Sequence, residues 1–168
     1  KYPVIVGGYD AHMISDRLKE NKFSVILNRP HLLPEFEDDF TFFNYELPFK
    51  MKEAGILFCI SNAGDMEVMN TRNLPFLAGT ARAYGLSEEE AVASITLNTA
   101  KILGMDDKIG SLEIGKDATL FVSEGDALDM RTNNVTFAMI RGSYIDLNNH
   151  QKELYEQYSN KYGIAIDK

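Results

Sequence analysis

The 168-residue sequence contains no tryptophan and a single cysteine, Cys59. An internal disulfide is therefore impossible, and a cysteine-rich metal knuckle is excluded. No run approaches the ~20 continuous apolar residues that a membrane helix needs. Basic residues are the minority, since 17 Lys+Arg stand against 25 Asp+Glu and give a formal net charge of −8. Without a basic cluster, neither a nucleic acid nor an anionic membrane surface is expected as the main partner.

What remains is a globular composition, with 45% hydrophobic and 25% charged residues. A chain of this length makes one ordinary domain, or one domain plus a small appendage. It begins at Lys1 and runs within three residues into a strand-like apolar segment, with no secretion-signal pattern. We therefore expect residue 1 to lie inside a longer protein, whose compartment stays open between cytoplasm and periplasm.

The first hundred residues alternate short apolar runs with helical patterns, which is typical of β/α units around a parallel sheet. The predicted strands span 4–6, 24–27 and 56–60. Asp10 is placed to cap the helix after the first strand. One face of that helix would carry Met13, Ile14 and Leu18. The long connection 31–44 follows the second strand, and its acidic run 35–39 is predicted to be a solvated loop.

Further helices are predicted over 47–54, 74–84 and 98–103. Ser87 and Glu90 have the spacing of a capping box before another helix, whose buried face would carry Ala91, Val92 and Ile95. Glycines then separate strand-like runs at 118–122, 135–140 and 144–145, which predict a small antiparallel sheet. The tail 149–162 has the spacing of a helix.

Two blocks decide the interpretation of the family. The segment 95–104 reads ITLNTAKILG, and the segment 109–120 reads IGSLEIGKDATL. Together with RNLPF at 72–76 and AYGLSEEEA at 83–91, they resemble the C-terminal part of the amidohydrolase superfamily, nearest to its imidazolonepropionase-like branch. The resemblance extends more weakly over most of the chain.

The resemblance implies an α/β fold. Residues 1–104 would supply the last three strands of a metal-dependent (β/α)₈ barrel, 105–147 a segment of a composite β-sandwich, and 148–168 a C-terminal helical tail. Three strand-helix units cannot close such a barrel alone, since eight take about 250 residues. The partners implied are the N-terminal remainder of the barrel and a small-molecule amide or cyclic amide. A half-barrel also leaves strand edges unpaired, so the isolated chain is expected to form homo-oligomers.

The resemblance also implies a site at the carboxyl ends of the strands, where one or two divalent ions, zinc first among them, activate water. Most of the metal ligands would precede Lys1. The sixth barrel strand ends here at Gly7 without the expected His, and His12 is predicted to lie on a helix surface. After the eighth strand the family places Asp, whereas this chain has Asn62. A neutral amide is a weak zinc ligand and no general base.

Asp65, three residues after Asn62, is the candidate catalytic and metal-binding carboxylate, and the alternative is a turn-stabilising Asp. Arg29, His31 and Arg72 are the candidate substrate-binding residues. Arg72 could hold a substrate carboxylate through two parallel hydrogen bonds, or form an ion pair at the surface instead. For His31, which stands between Pro30 and Leu32, a packed loop residue is the favoured alternative.

The sequence leaves two hypotheses about function and a third possibility. The first is the C-terminal fragment of a hydrolase acting on C–N bonds other than peptide bonds, inactive as this fragment alone. The second is a degenerate, metal-free barrel that serves as a binding or scaffolding protein, which Asn62 and the missing histidine favour. The third is an independently folded association domain that pairs through its sheet edge.

Overall fold

A computed structural model describes residues 3–64 and 66–164. Three short parallel strands form the first sheet, in the order β1 (Val4–Gly7), β2 (Ser24–Leu27) and β3 (Phe58–Ile60). The predicted second strand is confirmed, and the third is two residues shorter at its start than predicted. The fold is mixed α/β. Within the described ranges, no helix combines the length and apolarity that crossing a membrane requires.

The two faces of this sheet are covered differently. The register places Ile5 beside Val25, and Val25 beside Phe58. These side chains, with Leu27 and Ile60, belong to or pack against the main hydrophobic core. On the other face, Cys59 is buried, whereas Val6 of β1 is 69% exposed. Parallel sheets are normally covered on both faces, whereas in the described part of the chain β1 is an edge strand with one face exposed at Val6.

The segment after β1 differs from the predicted single helix. A 3-10 turn at Ala11–Ile14 leads into helix α1 (Ser15–Glu20), and the Asp10 side chain makes no capping hydrogen bond. Ala11 and Leu18 are buried, whereas Met13 and Ile14 are exposed. The prediction of one shared apolar face was wrong because the 3-10 turn changes the residue spacing from 3.6 to 3.0 per turn.

Helix α2 spans Phe43–Glu53 and begins four residues earlier than predicted. Its buried positions are Phe43, Asn44, Leu47, Pro48 and Met51. Because the buried Asn44 is polar, hydrophobic periodicity did not indicate that the helix begins at Phe43. The helix ends as expected before a glycine, Gly55, whose φ of +69° favours a residue without a side chain.

The next three helices are α3 (Leu74–Ala83), α4 (Glu88–Ile95) and α5 (Leu97–Leu103), and the bounds of α3 and α5 agree with the predicted ones within one residue. The Ser87 hydroxyl accepts from the Glu90 amide while the Glu90 carboxylate accepts from the Ser87 amide, so the capping box is confirmed. On α4 the buried residues are Ala91 and Ser94, and Val92 is exposed contrary to expectation.

A second sheet follows, antiparallel as predicted: β4 (Leu120–Ser123), β5 (Val135–Ile140) and β6 (Ser143–Tyr144). The tail forms helix α6 (His150–Tyr162), capped by the Asn149 side chain, which accepts from the Lys152 amide. The tail helix is thereby also confirmed.

Helix α3 joins the first sheet's helical layer to the loop between β4 and β5. Leu128 of that loop is buried in the main core. The Arg82 guanidinium lies 2.5 Å from the Asp126 carboxylate. The Leu128 amide and Arg82, in that order, lower the pKa of Asp126. The loop passes so close to α3 that a Cβ added at Gly79 would lie 2.2 Å from the Leu128 carbonyl oxygen.

We therefore expect Gly79→Ala to destabilise the protein by about 1–3 kcal/mol, the usual cost of overpacking, because the clashing atom is backbone and cannot rotate away. Urea unfolding monitored by circular dichroism measures this loss. Ala83→Ser, an exposed change on the same helix, serves as the control and should stay within about 0.5 kcal/mol of wild type. Equal stability of the two variants would contradict the close approach.

Candidate functional site at the carboxyl ends of the parallel strands

A cavity of about 380 Å³ lies at the carboxyl ends of β1 and β2. The connection 28–42 and the first half of α2 form its other walls. Its apolar lining consists of Leu27, Leu32, Leu33, Leu47 and Pro48. This volume falls within the range of roughly 300–1,000 Å³ that is usual for small-molecule sites.

The polar lining of the cavity carries charges of both signs. It consists of Tyr9, Asn28, Arg29, Glu35 and Asn44, next to the backbone of Gly7 and Gly8. A few polar groups within an apolar wall are what orient a small ligand. Arg29 offers a planar guanidinium for a carboxylate, and Glu35 offers an acceptor for a cationic or amide N–H group.

The connection 28–42 is bound back to the rest of the site by two side chains. The Tyr9 hydroxyl donates to Asp39 and accepts from the Glu35 amide. The buried Asn44 amide donates to the carbonyl oxygens of Leu32 and Leu33, at 3.1 and 2.8 Å. Burial, followed by the hydrogen bond to Asp39, raises the pKa of the Tyr9 phenol.

The sequence analysis did not identify Tyr9, Asp39 or Asn44. Asp39 is half-buried, so the prediction of a fully solvated acidic loop was wrong at this residue. The sequence of a long connection does not show which of its polar residues fold back onto a neighbouring strand. The one available signal was the position of Tyr9 directly after a strand and two glycines.

Of the three predicted substrate-binding residues, Arg29 alone lines this cavity. His31 is exposed, its Nε2 lies 2.7 Å from the Thr80 hydroxyl, and its ring packs edge-on against Tyr45. Burial and then the charge of Arg29 lower the pKa of His31. Arg72 is exposed in the 3-10 helix Glu67–Asn73.

Among the described residues, the end of β3 supplies no side chain to the cavity lining, although the sequence analysis placed Asn62 at the site. Asn62 is half-buried two residues beyond the strand and is not part of the lining. The neighbouring Ser61 hydroxyl donates to the Leu27 carbonyl and so ties β3 to β2. Asp65 lies outside the described residues.

His12 is half-buried, not on the helix surface as predicted. Its ring centroid lies 5.6 Å from that of Phe43, and its Nδ1 is buried without a hydrogen-bond partner among the described residues. A 3-10 turn in place of the helix rotates His12 towards α2.

The described residues do not fit a divalent metal site. Over 3–64 and 66–164, no group of three or more His, Cys, Asp or Glu side chains could hold an ion. The strand ends present instead the uncharged Gly7 and Asn62 and the cationic Arg29. A guanidinium repels a cation, and an amide is a weak zinc ligand.

Residues 50–145, more than half of the chain, match the Amidohydrolase family. The chain belongs to this family. A similar relative is an imidazolonepropionase from Syntrophobacter fumaroxidans, 34% identical over 77 residues, which are 45% of this chain and 18% of the relative. The likeness places this amidohydrolase in the imidazolonepropionase-like branch.

Solved structures agree with this assignment. An amidohydrolase from Thermotoga maritima MSB8 is 34% identical, with a TM-score of 0.69, and the match covers 85% of this chain and 36% of that one. An adenosine deaminase from Xanthomonas campestris with bound zinc is 17% identical, with a TM-score of 0.57, over 96% of this chain and 42% of that one, and shares the fold. The chain thus spans well under half the length of each relative.

The electrostatic contact between Arg29 and His31 can be tested by titration. Removing the positive charge in Arg29→Gln stabilises the imidazolium, so the pKa of His31 should rise towards its ordinary value, while burial keeps it below that value. NMR titration of the histidine ring protons measures the change. Arg72→Gln removes the same charge outside the cavity lining and should leave His31 unchanged; a shift of similar size in both variants would contradict the contact.

Proposed function

We propose that the chain is the C-terminal part of a hydrolase that cleaves a C–N bond, other than a peptide bond, in a small linear or cyclic amide. Family membership carries this proposal. Likeness to an imidazolonepropionase supports a C–N bond as the reacting bond. The fragment alone is inactive in this proposal, because most of the metal ligands would lie in the N-terminal remainder and no group of three or more metal-binding side chains is found among the described residues.

In this proposal, 1–104 supply the closing strands of a (β/α)₈ barrel, 105–147 a segment of a composite β-sandwich, and 148–168 a helical tail. The position of β1 supports it, since among the described residues this parallel strand pairs with β2 alone and its Val6 side chain is exposed. The N-terminal remainder of the protein would pair with β1 and complete the barrel.

Substrate would enter over the carboxyl ends of β1 and β2, where the cavity already lies. Arg29 is the favoured anchor for a substrate carboxylate, since a guanidinium binds a carboxylate through two parallel hydrogen bonds. His31 and Arg72 remain proposed substrate contacts only for a larger substrate, because neither lines this cavity. The apolar walls would hold the body of the molecule and exclude water from the scissile bond.

Members of this family are generally metal-dependent. A divalent ion, zinc in the first instance, would polarise the scissile carbonyl and supply an activated water. Because the described residues do not fit such a site, its ligands would come from the N-terminal remainder, with Asp65 as the one candidate from this chain. Asn62 would then contact the substrate or the bound water through hydrogen bonds only.

A second function, a metal-free barrel that binds a small molecule, is favoured by a specific observation. Asn62 occupies the position where the resemblance implies the catalytic Asp, and Arg29 brings positive charge to the same edge of the sheet. Both residues disfavour a cation and favour an anionic or neutral ligand.

Metal analysis of the full-length protein separates the two functions. Stoichiometric zinc that is lost in Asp65→Ala is expected for the hydrolase, and Asn62→Asp should tighten metal binding by supplying a carboxylate. Asp38→Ala, an exposed acid in the connection 28–42, is the matched control and should retain the metal. A wild-type protein that is metal-free and hydrolytically inactive would contradict the first function and support the second.

The unpaired edge of β1 leads to a separate prediction about the oligomeric state of the 168-residue chain in solution. We expect it to form homo-oligomers or to precipitate, because β1 presents unpaired N–H and C=O groups next to exposed Val6. Gel filtration with light scattering measures the mass. Val6→Lys, which places a charge on that edge, should reduce association, whereas a stable wild-type monomer would refute the exposed-edge argument.

A further inference from the structure

We propose that Tyr9 is a positioning residue of this site, whose hydroxyl holds the segment 33–41 across the cavity and thereby controls access to it. The inference deepens the proposed function, and rests on it in taking the cavity as the substrate site. The hydrogen bonds of Tyr9 to Glu35 and Asp39 do not depend on which reaction the protein catalyses. Tyr9 would not touch the reacting atoms but would act through Glu35 and Asp39.

One hydroxyl group joins two separate points of the segment to the end of β1. Tyr9 Oη donates to Asp39 Oδ2. The Glu35 amide donates to Tyr9 Oη at 3.2 Å, and the Phe36 amide donates to Asp39 Oδ2 at 3.3 Å. Loss of the Tyr9 oxygen therefore breaks two hydrogen bonds at once and leaves the outer part of the segment with the local Phe36–Asp39 turn, while Leu33 and Phe40 at its two ends keep their own hydrogen bonds.

The two attachments of the segment differ in strength. At its base, the Asn44 amide binds two consecutive carbonyl groups from a buried position on α2. Buried polar groups are costly to separate from their partners, so this base is fixed. The Tyr9 contact lies at the half-buried outer part of the segment, where water can replace either partner. The base therefore acts as a hinge and the Tyr9 contact as a clasp.

Apolar packing holds the rest of the segment only weakly. Leu33 is 87% exposed, Phe36 52% and Phe40 61%. Hydrophobic burial is the main driving force that could keep a surface segment in place, and here most of that area faces solvent. The closed position of the segment therefore depends on the hydrogen bonds of Tyr9 and Asp39.

The ring of Tyr9 is held independently of its hydroxyl. Its centroid lies 4.5 Å from that of Phe43, a buried residue of α2, and 6.2 Å from that of Phe36. Tyr9→Phe thus preserves the packing of the ring and removes only the clasp. Because Glu35 and Leu33 both line the cavity, release of the clasp changes the shape, charge and accessibility of the site.

Hydrogen–deuterium exchange on the intact protein tests the inference. In Tyr9→Phe, the hydrogen-bonded amides of Glu35, Phe36 and Asp39 should exchange roughly tenfold faster or more, since each lost hydrogen bond corresponds to about a fivefold factor. The amides of β2 and α3 should not change. Tyr45→Phe is the matched control, because Tyr45 makes ring contacts close to the same segment and no hydrogen bond through its hydroxyl among the described residues; its exchange should equal that of wild type.

Two Asp39 variants separate a clasp from a general loss of stability. Asp39→Ala should accelerate exchange over 35–40 as Tyr9→Phe does, whereas Asp39→Asn keeps an acceptor oxygen and should restore most of the protection. Unchanged exchange in Tyr9→Phe, or acceleration spread over the whole chain, would overturn the inference.

A kinetic measurement on the full-length protein links the clasp to the site. Tyr9→Phe should raise KM severalfold with a smaller effect on kcat, because it alters the walls of the cavity and removes no reacting group. A change in kcat alone would contradict a positioning role. Absence of all hydrolysis in the wild type would refute the proposed function, while the exchange comparison would still decide whether Tyr9 holds the segment.

Discussion

Parallel pairing of β1, β2 and β3 is the constraint on which the rest of this structure depends. Strands that run in the same direction release their chains at the same edge of the sheet. Tyr9, Asn28, Arg29 and Asn62, which are distant in sequence, are therefore delivered to one side of the molecule. The connections that return the chain to the opposite edge pass through helices, which bury one face of the sheet. A site at the carboxyl edge follows from this geometry before any chemistry is considered.

The chemistry at that edge is unusual for an amidohydrolase. The family is generally metal-dependent, yet the described strand ends carry a glycine, an arginine and an asparagine where a cation would require carboxylates or imidazoles. The same edge holds a small cavity with apolar walls and one guanidinium. In the proposed function this part of the protein contributes to ligand recognition, and the remainder of the site would come from the rest of the protein, since the matches cover only 18% and 36% of two relatives.

Local interactions were predictable wherever the sequence alone satisfies a structural requirement. The Ser87–Glu90 capping box, the glycines that end α2 and α5, and the apolar second strand all appeared as expected. Predictions failed where long-range contacts determine whether a residue is buried or exposed. Ile14 is exposed because the segment turns as a 3-10 helix, and Asp39 is half-buried because a tyrosine thirty residues away binds it.

The sequence by itself determined the family, the order of strands and helices, and the residues at the strand ends, because capping, periodicity and motif spacing are properties of neighbouring residues. Only the tertiary structure decided that Arg29 lines the cavity while His31 packs against Tyr45, and that Tyr9 and Asn44 hold the connecting segment. The direction of a loop side chain depends on the surface against which the loop folds, and that surface is assembled from residues far away along the chain.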